Sequence, residues 1–252
     1  MRTLRAILRF AAFVFLTFGI YALWWMGAFF VSGEKQKINW RRFILRNWGR
    51  GFVRIANLHL EIKGVPPQPP FLLVSNHLSY MDVAALRSVM ECVFVAKADI
   101  EGWLMAGTMI RNLGMIYINR ENRRDIPRAG AKVIEAMEQG EGVIIFAEGT
   151  TSNGSQILPF KSSLLEFAAA RELPVYYSTI SYETAPGETP ASESICWWRK
   201  ESEFVPHIFD LFKMPGLRGS ITFGDAPIVS SNRKELAEKL HRAASAQFVP
   251  VK

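Results

Sequence analysis

The sequence has little of what would mark a disulfide-bonded, metal-binding or disordered protein. It has only two cysteines, Cys92 and Cys196, and neither stands in a CxxC or other metal-ligand spacing. Two isolated cysteines predict reduced thiols in a reducing compartment, with no disulfide framework and no metal site. Charged residues make up 21% of the chain and hydrophobic residues 49%, a balance that excludes a disordered protein.

No charged residue occurs between residues 10 and 31. About 20 such residues in a helix cross a hydrocarbon core of about 30 Å, so residues 1–33 predict a transmembrane or membrane-embedded helix. The run is too long for a signal-peptide core and no clear A-x-A site follows it, so we expect it to be retained. Tyr21, Trp24 and Trp25 are interfacial residue types and lie towards its middle or later half. A helix lying partly in one leaflet, or a re-entrant pair with the next helix, therefore stays open beside a spanning helix.

Residues 34–56 predict a second helix, basic and amphipathic. Apolar residues recur on one side and arginines every fourth residue on the other: Trp40, Phe43, Ile44, Trp48, Phe52 and Ile55 against Arg42, Arg46, Arg50 and Arg54. Such a helix suits an interface with anionic lipids, each basic residue adding about 1 kcal/mol. The alternative is a helix packed on its own domain with a solvated basic face. The larger positive excess after the apolar run, in a chain of net charge +7, places the main domain on the cytoplasmic side.

Residues 57–252 alternate short apolar runs with helical patterns, which predicts one domain of the α/β class. The predicted strands cover residues 58–62, 71–74, 92–96, 115–118, 143–146, 175–180 and 221–223. The predicted helices cover residues 81–90, 102–112, 126–139, 161–171 and 232–246. We expect a largely parallel or mixed sheet flanked by helices, with ligands at the carboxyl ends of its strands.

The strand at residues 71–74 leads directly to His77, and Asp82 follows in the first turn of a predicted helix. A carboxylate bonded to one imidazole nitrogen fixes the tautomer and leaves the other nitrogen as a base. The two residues therefore predict a dyad that activates a hydroxyl group. The alternative is a capping box, in which Ser79 is the helix N-cap and Asp82 only bonds back to the backbone.

Two further polar clusters each follow a predicted buried strand. One is Asn119-Arg120, and the other is the Gly/Ser/Thr-rich segment at residues 148–154. Arg120 suits bidentate binding of a phosphate or stabilisation of an oxyanion, and the loop suits a phosphate or glycerol head group. A surface ion pair and an ordinary turn are the alternatives. Each alternative is reasonable for one cluster alone, but three polar clusters at strand ends favour a common site.

Four blocks in order resemble the motifs of the glycerolipid acyltransferase family typified by 1-acylglycerol-3-phosphate acyltransferase. They are Asn76-His77 through Asp82 (NHxxxxD), residues 114–120 (GxxFIxR), residues 146–150 (FPEGT) and residues 173–175 (an apolar-proline block). The resemblance implies that His77 is the general base and Asp82 its partner. It also implies that the acceptor's phosphate and glycerol are bound by Arg120, Glu148, Gly149 and Thr150. Lys97 and Lys161 match further basic positions, and Thr151 stands where the commonest version has arginine.

The resemblance implies an O-acyltransferase of phospholipid biosynthesis that needs no metal and no cofactor. The donor is an acyl thioester, acyl-CoA or acyl carrier protein, and the acceptor is the free hydroxyl of a lysophospholipid, 1-acylglycerol-3-phosphate first. Another lysolipid head group, such as a lysophospholipid or lyso-ornithine lipid, is the alternative. The partners are then membrane lipids rather than nucleic acid, at the inner membrane if the protein is bacterial.

Two other classes of function are weaker alternatives. A serine lipase or esterase would need a nucleophile beside His77, and no G-x-S-x-G motif occurs. A noncatalytic membrane-binding module predicts no histidine-dependent turnover. The segment after Ala185 is uninformative, since Trp197 suits either a membrane interface or a core.

Overall fold

The computed structural model describes residues 1–98, 114–119, 125–199 and 203–251. The predicted helix at residues 102–112, Arg120 and the side chain of Lys97 lie outside the described residues. The elements are α1 (Arg2–Phe30), α2 (Glu34–Ala56), β1 (Leu58–Lys63), β2 (Phe71–Ser75), α3 (Met81–Val89), β3 (Val93–Lys97), β4 (Ile116–Ile118), α4 (Asp125–Glu138), β5 (Gly142–Phe146), a 3-10 turn (Ser162–Leu165), α5 (Glu166–Ala170), β6 (Val175–Thr184), α6 (Ala191–Ser194), α7 (Phe204–Lys213), β7 (Leu217–Phe223) and α8 (Arg233–Gln247).

The strands form one seven-stranded sheet in the order β1-β7-β6-β2-β5-β3-β4. The five strands from β6 to β4 run parallel, whereas β7 pairs antiparallel with β6 and β1 pairs parallel with β7. The central strands β2 and β5 are buried at every position, as continuous apolar runs predict for strands covered on both faces. The predicted α/β class with a largely parallel or mixed sheet is therefore confirmed.

Alternate residues of the central strands serve two separate cores. Leu73 and Ile144 face a cluster that contains residues of α1, α2, α3 and α7. Leu72 and Val143 face a cluster built with α4, α5 and α8. The domain therefore has three layers, and the carboxyl ends of β2 and β5 open together at one edge of the sheet.

Helices α1 and α2 pack as an antiparallel hairpin on the first of these cores. Trp48 Nε1 donates to Thr17 Oγ1 at 3.2 Å, and Trp40 Nε1 approaches the carbonyl of Trp24 at 3.5 Å. Helix α1 also lies against α7, because Phe10 contacts Phe209 with ring centroids 6.2 Å apart. Helix α1 is thus held against both α2 and α7.

From Leu4 onward, the exposed side chains of α1 are apolar. Its exposed side chains include Leu4, Leu8, Phe15, Phe18, Trp25 and Phe29. Among the described residues, α1 is the one helix long and apolar enough to cross a membrane by length and composition. Helix α1 therefore packs one side against the protein and leaves an apolar side free to contact another apolar phase.

The apolar side of α2 is placed differently from the interfacial prediction. Ile44 and Phe52 are buried within the protein, where Phe52 contacts Phe13 of α1 and Phe212 of α7. Lipid contact by Ile44 and Phe52 is therefore ruled out in this structure, because the hairpin partner and the domain cover them. Phe43 remains exposed on the outward side of the helix.

The arginines of α2 also contact the domain. Glu141 is fully buried at the start of β5 and accepts from Arg41 Nη2 at 2.5 Å and from Arg42 Nε at 3.2 Å. Arg46 pairs with Glu91 at 3.4 Å. One side of the arginine row thus fastens α2 to the loops at the amino edge of the sheet.

We expect Glu141→Gln to destabilise the protein by about 3 kcal/mol, because it leaves two guanidinium groups without their buried carboxylate. Urea unfolding of the detergent-solubilised protein measures the change. Glu238→Gln, which removes an exposed pair with Arg242, is the matched control and should cost less than about 1 kcal/mol. Equal effects of the two variants would show that Glu141 does not fasten α2.

Candidate active site

Asn76 fixes the chain at the point where β2 ends. Its side chain is buried, accepts from the backbone amide of Ile180 at 2.7 Å and donates to the carbonyl of the same residue at 2.9 Å. Ser75, the last residue of β2, pairs with Ser178 in the parallel strand β6. The Asn76 side chain therefore continues the hydrogen bonding between the two strands beyond the end of β2. The loop that carries His77 is therefore anchored to the neighbouring strand.

His77 and Asp82 form the predicted dyad. Nδ1 of His77 lies 2.8 Å from Oδ2 of Asp82. The imidazole stacks on the ring of Phe146 with centroids 3.9 Å apart and planes 9° apart. Because the Asp82 side chain has 0% exposure and that of His77 has 21%, the carboxylate is dry while the imidazole still reaches the surface. This leaves Nε2 as the ring nitrogen available to a substrate.

The capping-box alternative is half correct. Oδ2 of Asp82 also accepts from the backbone amides of Leu78 at 2.7 Å and Ser79 at 3.0 Å. The prediction that Ser79 is the N-cap is wrong, because Tyr80 holds that position and the Ser79 hydroxyl makes no hydrogen bond in the described part of the chain. The Asp82 carboxylate therefore both accepts hydrogen bonds from the backbone of the loop and orients the imidazole.

Glu148 lies beside the dyad because β5 is the parallel neighbour of β2, with Phe146 paired to Ser75. Its carboxyl is buried and turns inward, accepting from the backbone amide of His77 at 3.4 Å and from that of Leu158 at 3.0 Å. Burial raises the pKa of Glu148 to about 8, although both amide bonds favour the ionised form. The structure thus places Glu148 beneath the His77 loop.

The loop after Glu148 brings together most of the remaining candidates. Gly149 has a φ of +74°, and a Cβ there would come within 2.9 Å of Lys161 Nζ, so the lysine lies across the glycine. Thr150 is exposed, and the amide of Ser152 donates to the carbonyl of His77 at 3.0 Å. A basic side chain therefore stands over the loop that borders the dyad.

Thr151 is tied to the segment after α6. Its hydroxyl donates to the carbonyl of Trp197 at 2.6 Å, and the amide of Trp197 donates to the carbonyl of Leu78 at 2.8 Å. Tyr80 then contacts the rings of Trp197 and Phe204. Trp197, whose setting the sequence left open, thus joins the two loops of the site.

Two residues of the site were not predicted from the sequence in the roles they have here. Tyr182 donates its hydroxyl to Oδ1 of Asp82 at 2.7 Å, and Asn76 forms the anchor to Ile180. The predicted strand at residues 175–180 stops before Tyr182, whereas β6 runs to Thr184. The alternation of polar and apolar residue types at positions 179–183 was the one available sequence signal.

The structure therefore brings together His77, Asp82, Glu148, Gly149, Thr151 and Lys161. The strand before Arg120 is parallel to its neighbour, with Ile118 paired to Lys97, so that the chain reaches the same edge of the sheet at Asn119. Strand β4 is three strands away from β2 in the sheet order. The roles of Arg120 and Lys97 remain predictions.

Comparison with known proteins fits this site. The model of the family described as Acyltransferase matches residues 57–182, half of the 252 residues. The chain belongs to this acyltransferase family. It is 31% identical over 210 residues to a lyso-ornithine lipid O-acyltransferase of Rhizobium meliloti, covering 78% of this chain and 72% of that protein. It is 35% identical over 160 residues to a 1-acyl-sn-glycerol-3-phosphate acyltransferase of Neisseria meningitidis, covering 60% and 63%.

The fold is also that of a solved acyltransferase. The crystal structure of the 1-acyl-sn-glycerophosphate acyltransferase from Thermotoga maritima matches with a TM-score of 0.66, covering 96% of this chain and 95% of that chain at 21% identity. The match extends over helices α1 and α2 as well as the sheet.

The raised pKa of Glu148 predicts how stability depends on pH. Its folded value of about 8 lies above its ordinary value of 4.5, so between these values the folded chain holds a proton that the unfolded chain has released. The free energy of unfolding should therefore fall as pH rises through this window, by about 1.4 kcal/mol per pH unit at the steepest. Glu148→Gln should remove that slope in urea unfolding, whereas the exposed control Glu138→Gln should keep it. Parallel pH curves for wild type and Glu148→Gln would contradict the prediction.

Proposed function

We propose that this acyltransferase moves an acyl chain from a thioester to the free hydroxyl of a lysolipid, with His77 as general base. The observation that carries the proposal is the 2.8 Å contact between a partly exposed imidazole and the fully buried carboxylate of Asp82. A dry carboxylate on Nδ1 holds the tautomer in which Nε2 accepts a proton. The comparisons support acyl transfer as the chemistry that uses this base.

The reaction proceeds by direct transfer. Nε2 of His77 takes the proton of the acceptor hydroxyl while the hydroxyl oxygen attacks the thioester carbonyl. The C–S bond of the tetrahedral intermediate then breaks, and the leaving thiolate takes the proton from the imidazolium. Atoms and protons balance without an acyl-enzyme, a metal or a redox cofactor. The donor is acyl-CoA or an acyl carrier protein.

Serine catalysis has less support. Among the hydrogen bonds of the described residues, none joins the His77 imidazole to a serine hydroxyl. The nearby Ser75 and Ser79 are both buried. A nucleophile of the lipase type needs such a contact and access to the substrate.

The acceptor we propose first is 1-acylglycerol-3-phosphate, with lyso-ornithine lipid as the second candidate. Relatives of both activities support these two choices. Lys161 lies across Gly149, and we assign to Lys161 and Arg120 the binding of an anionic head group. Thr151 adds no charge at the mouth of the site, and its hydroxyl is taken by Trp197. The neutral Thr151 is the feature that favours the second candidate, whose head group is not a phosphomonoester.

His77→Ala should reduce acyl transfer at least about hundredfold, because it removes the base but no core side chain. Asp82→Asn should also lose activity, since an amide does not hold the required tautomer. The assay presents lysophosphatidic acid and lyso-ornithine lipid in parallel, each with labelled acyl-CoA and with acyl carrier protein. His59→Ala, an exposed histidine on β1, is the control and should retain full activity.

The assay separates the rival interpretations. Wild-type turnover in a folded His77→Ala protein would exclude His77 as the base. Hydrolysis of the donor without an acylated lipid would favour the esterase, and no turnover by the wild type with any pair would favour a membrane-binding module. The ratio of rates for the two lysolipids identifies the acceptor.

The membrane role follows from α1, whose apolar outer face and lipid-acting relatives support association with a membrane. We propose that α1 lies in one leaflet rather than crossing the bilayer. Its partner α2 runs beside it and carries charged residues in almost every turn, including Arg42, Arg46, Arg50 and Arg54. A spanning α1 would draw those charges into hydrocarbon, which is costly. In a bacterial cell this would be the cytoplasmic face of the inner membrane.

The double substitution Phe15→Asp and Phe18→Asp should weaken vesicle binding at least about tenfold, because two exposed rings lose their transfer to the apolar phase. Flotation with phosphatidylglycerol vesicles measures the partition coefficient. The charge-matched control is Val65→Asp with Val249→Asp, at two exposed apolar sites outside α1. Equal losses in both double variants would show that charge, and not the α1 face, controls binding.

A further inference from the structure

We propose that Tyr182 is a positioning residue for acyl transfer, which acts on His77 through the second oxygen of Asp82. Its hydroxyl donates to Oδ1 at 2.7 Å, while Oδ2 faces the imidazole. The inference rests on the proposed role of His77 as the base. It adds a third group to the dyad, from a strand 100 residues away along the chain.

The two oxygens of Asp82 have different partners. Oδ2 is shared by Nδ1 of His77 and the amides of Leu78 and Ser79. Oδ1 has one hydrogen bond among the described residues, the one from Tyr182. Without the phenol, this oxygen of a carboxylate with 0% exposure would be left without a donor. Such an oxygen attracts a proton or pulls the carboxylate out of its orientation.

The position of the phenol is set by the sheet. Tyr182 is buried and pairs with Gly219 of the antiparallel strand β7. A Cβ at Gly219 would lie 3.1 Å from the ring of Tyr182. The ring can pack this closely on β7 because Gly219 has no side chain. The ring therefore reaches Asp82 from a strand in the core rather than from a mobile loop.

The phenol remains a hydrogen-bond donor over the working pH range. Burial, and then the charge of Asp82, raise the pKa of Tyr182 well above its ordinary value. A neutral donor stabilises the carboxylate without competing with the imidazole for the proton. It thereby keeps Asp82 ionised and moderates its attraction for an imidazolium.

Three further titratable groups face this centre. They are Glu148 from the loop after β5, Cys196 from the segment after α6, and Tyr80 from the dyad's own loop. Burial raises the pKa of Cys196 to about 12 and that of Glu148 to about 8. Burial also raises the pKa of Tyr80. Burial instead lowers the pKa of His207, which bonds to Tyr80 and not to Asp82. The acidic midpoint is therefore compared between variants that all retain His207.

The test is Tyr182→Phe, which removes one oxygen and keeps the ring. We expect kcat to fall about tenfold, with little change in KM for the lysolipid, because the loss concerns the base and not binding. The acidic midpoint of the kcat/KM profile should rise by about one pH unit, since a carboxylate that lost a donor holds protons more strongly, on itself or on His77. A merely structural role would lower the amount of folded enzyme and leave that midpoint in place.

Tyr176→Phe is the matched control. Tyr176 lies on the same strand and the same face of the sheet, and it is only partly buried. Its profile should superpose on that of the wild type. An unmoved acidic midpoint in Tyr182→Phe, whatever its absolute rate, would overturn the inference.

A second measurement covers a variant that fails to fold. Incorporation of 3-fluorotyrosine at position 182 keeps the shape and strengthens the donor, so the acidic midpoint should move in the opposite direction. No movement with this residue would likewise reject the role of Tyr182. The proposed function fails separately, through an active His77→Ala enzyme. An inactive His77→Ala enzyme with an unmoved Tyr182→Phe profile would reject only the positioning role.

Discussion

The burial of one carboxylate is the constraint on which the site depends. Asp82 has no solvent exposure, and an ionised group in that position is tolerated only when its oxygens are hydrogen-bonded. Its partners are an imidazole, two backbone amides and the phenol of Tyr182. The hydrogen bonds that stabilise the buried Asp82 carboxylate therefore also orient His77.

The parallel alignment of β2 with both neighbours supplies the rest of the site. Because Ser75 pairs with Phe146 on one side and with Ser178 on the other, β2 and β5 end together beside β6, which continues to Thr184. Asn76 then bonds to β6, and Glu148 bonds to the amide of His77. The loop that carries His77 is held from both sides by side chains, which explains how a short loop keeps an imidazole in one orientation.

Sequence reasoning succeeded where the interactions are local. Continuous apolar runs identify buried strands, and His77 and Asp82 are five residues apart, so a strand end and a helix start suffice to bring them together. The contacts of Tyr182 and Trp197 depend on which strands are neighbours, which alternation of strands and helices does not specify. Periodicity likewise showed that α2 has an apolar side but not that α1 and α7 cover Phe52. The short helix predicted at residues 161–171 begins as a 3-10 turn, since the amide of Lys161 is held by Ala147.

Helix α7 connects α1 to the loop that carries His77. At its carboxyl end, Arg5 donates to the carbonyl of Lys213 and Arg9 to that of Met214 at 2.7 Å, so cations of α1 meet the negative end of the α7 dipole. Burial, and then the charge of Arg5, lower the pKa of Arg9. The hydrogen bonds to these carbonyl groups replace part of the hydration that the Arg9 guanidinium loses on burial. Near the other end, His207 bonds to the hydroxyl of Tyr80 at 3.0 Å. Since Tyr80 directly precedes α3, the distance from α1 to His77 is set by packed helices and not by a linker. If α1 lies in one leaflet as proposed, the same packing holds His77 at one fixed height above the lipid.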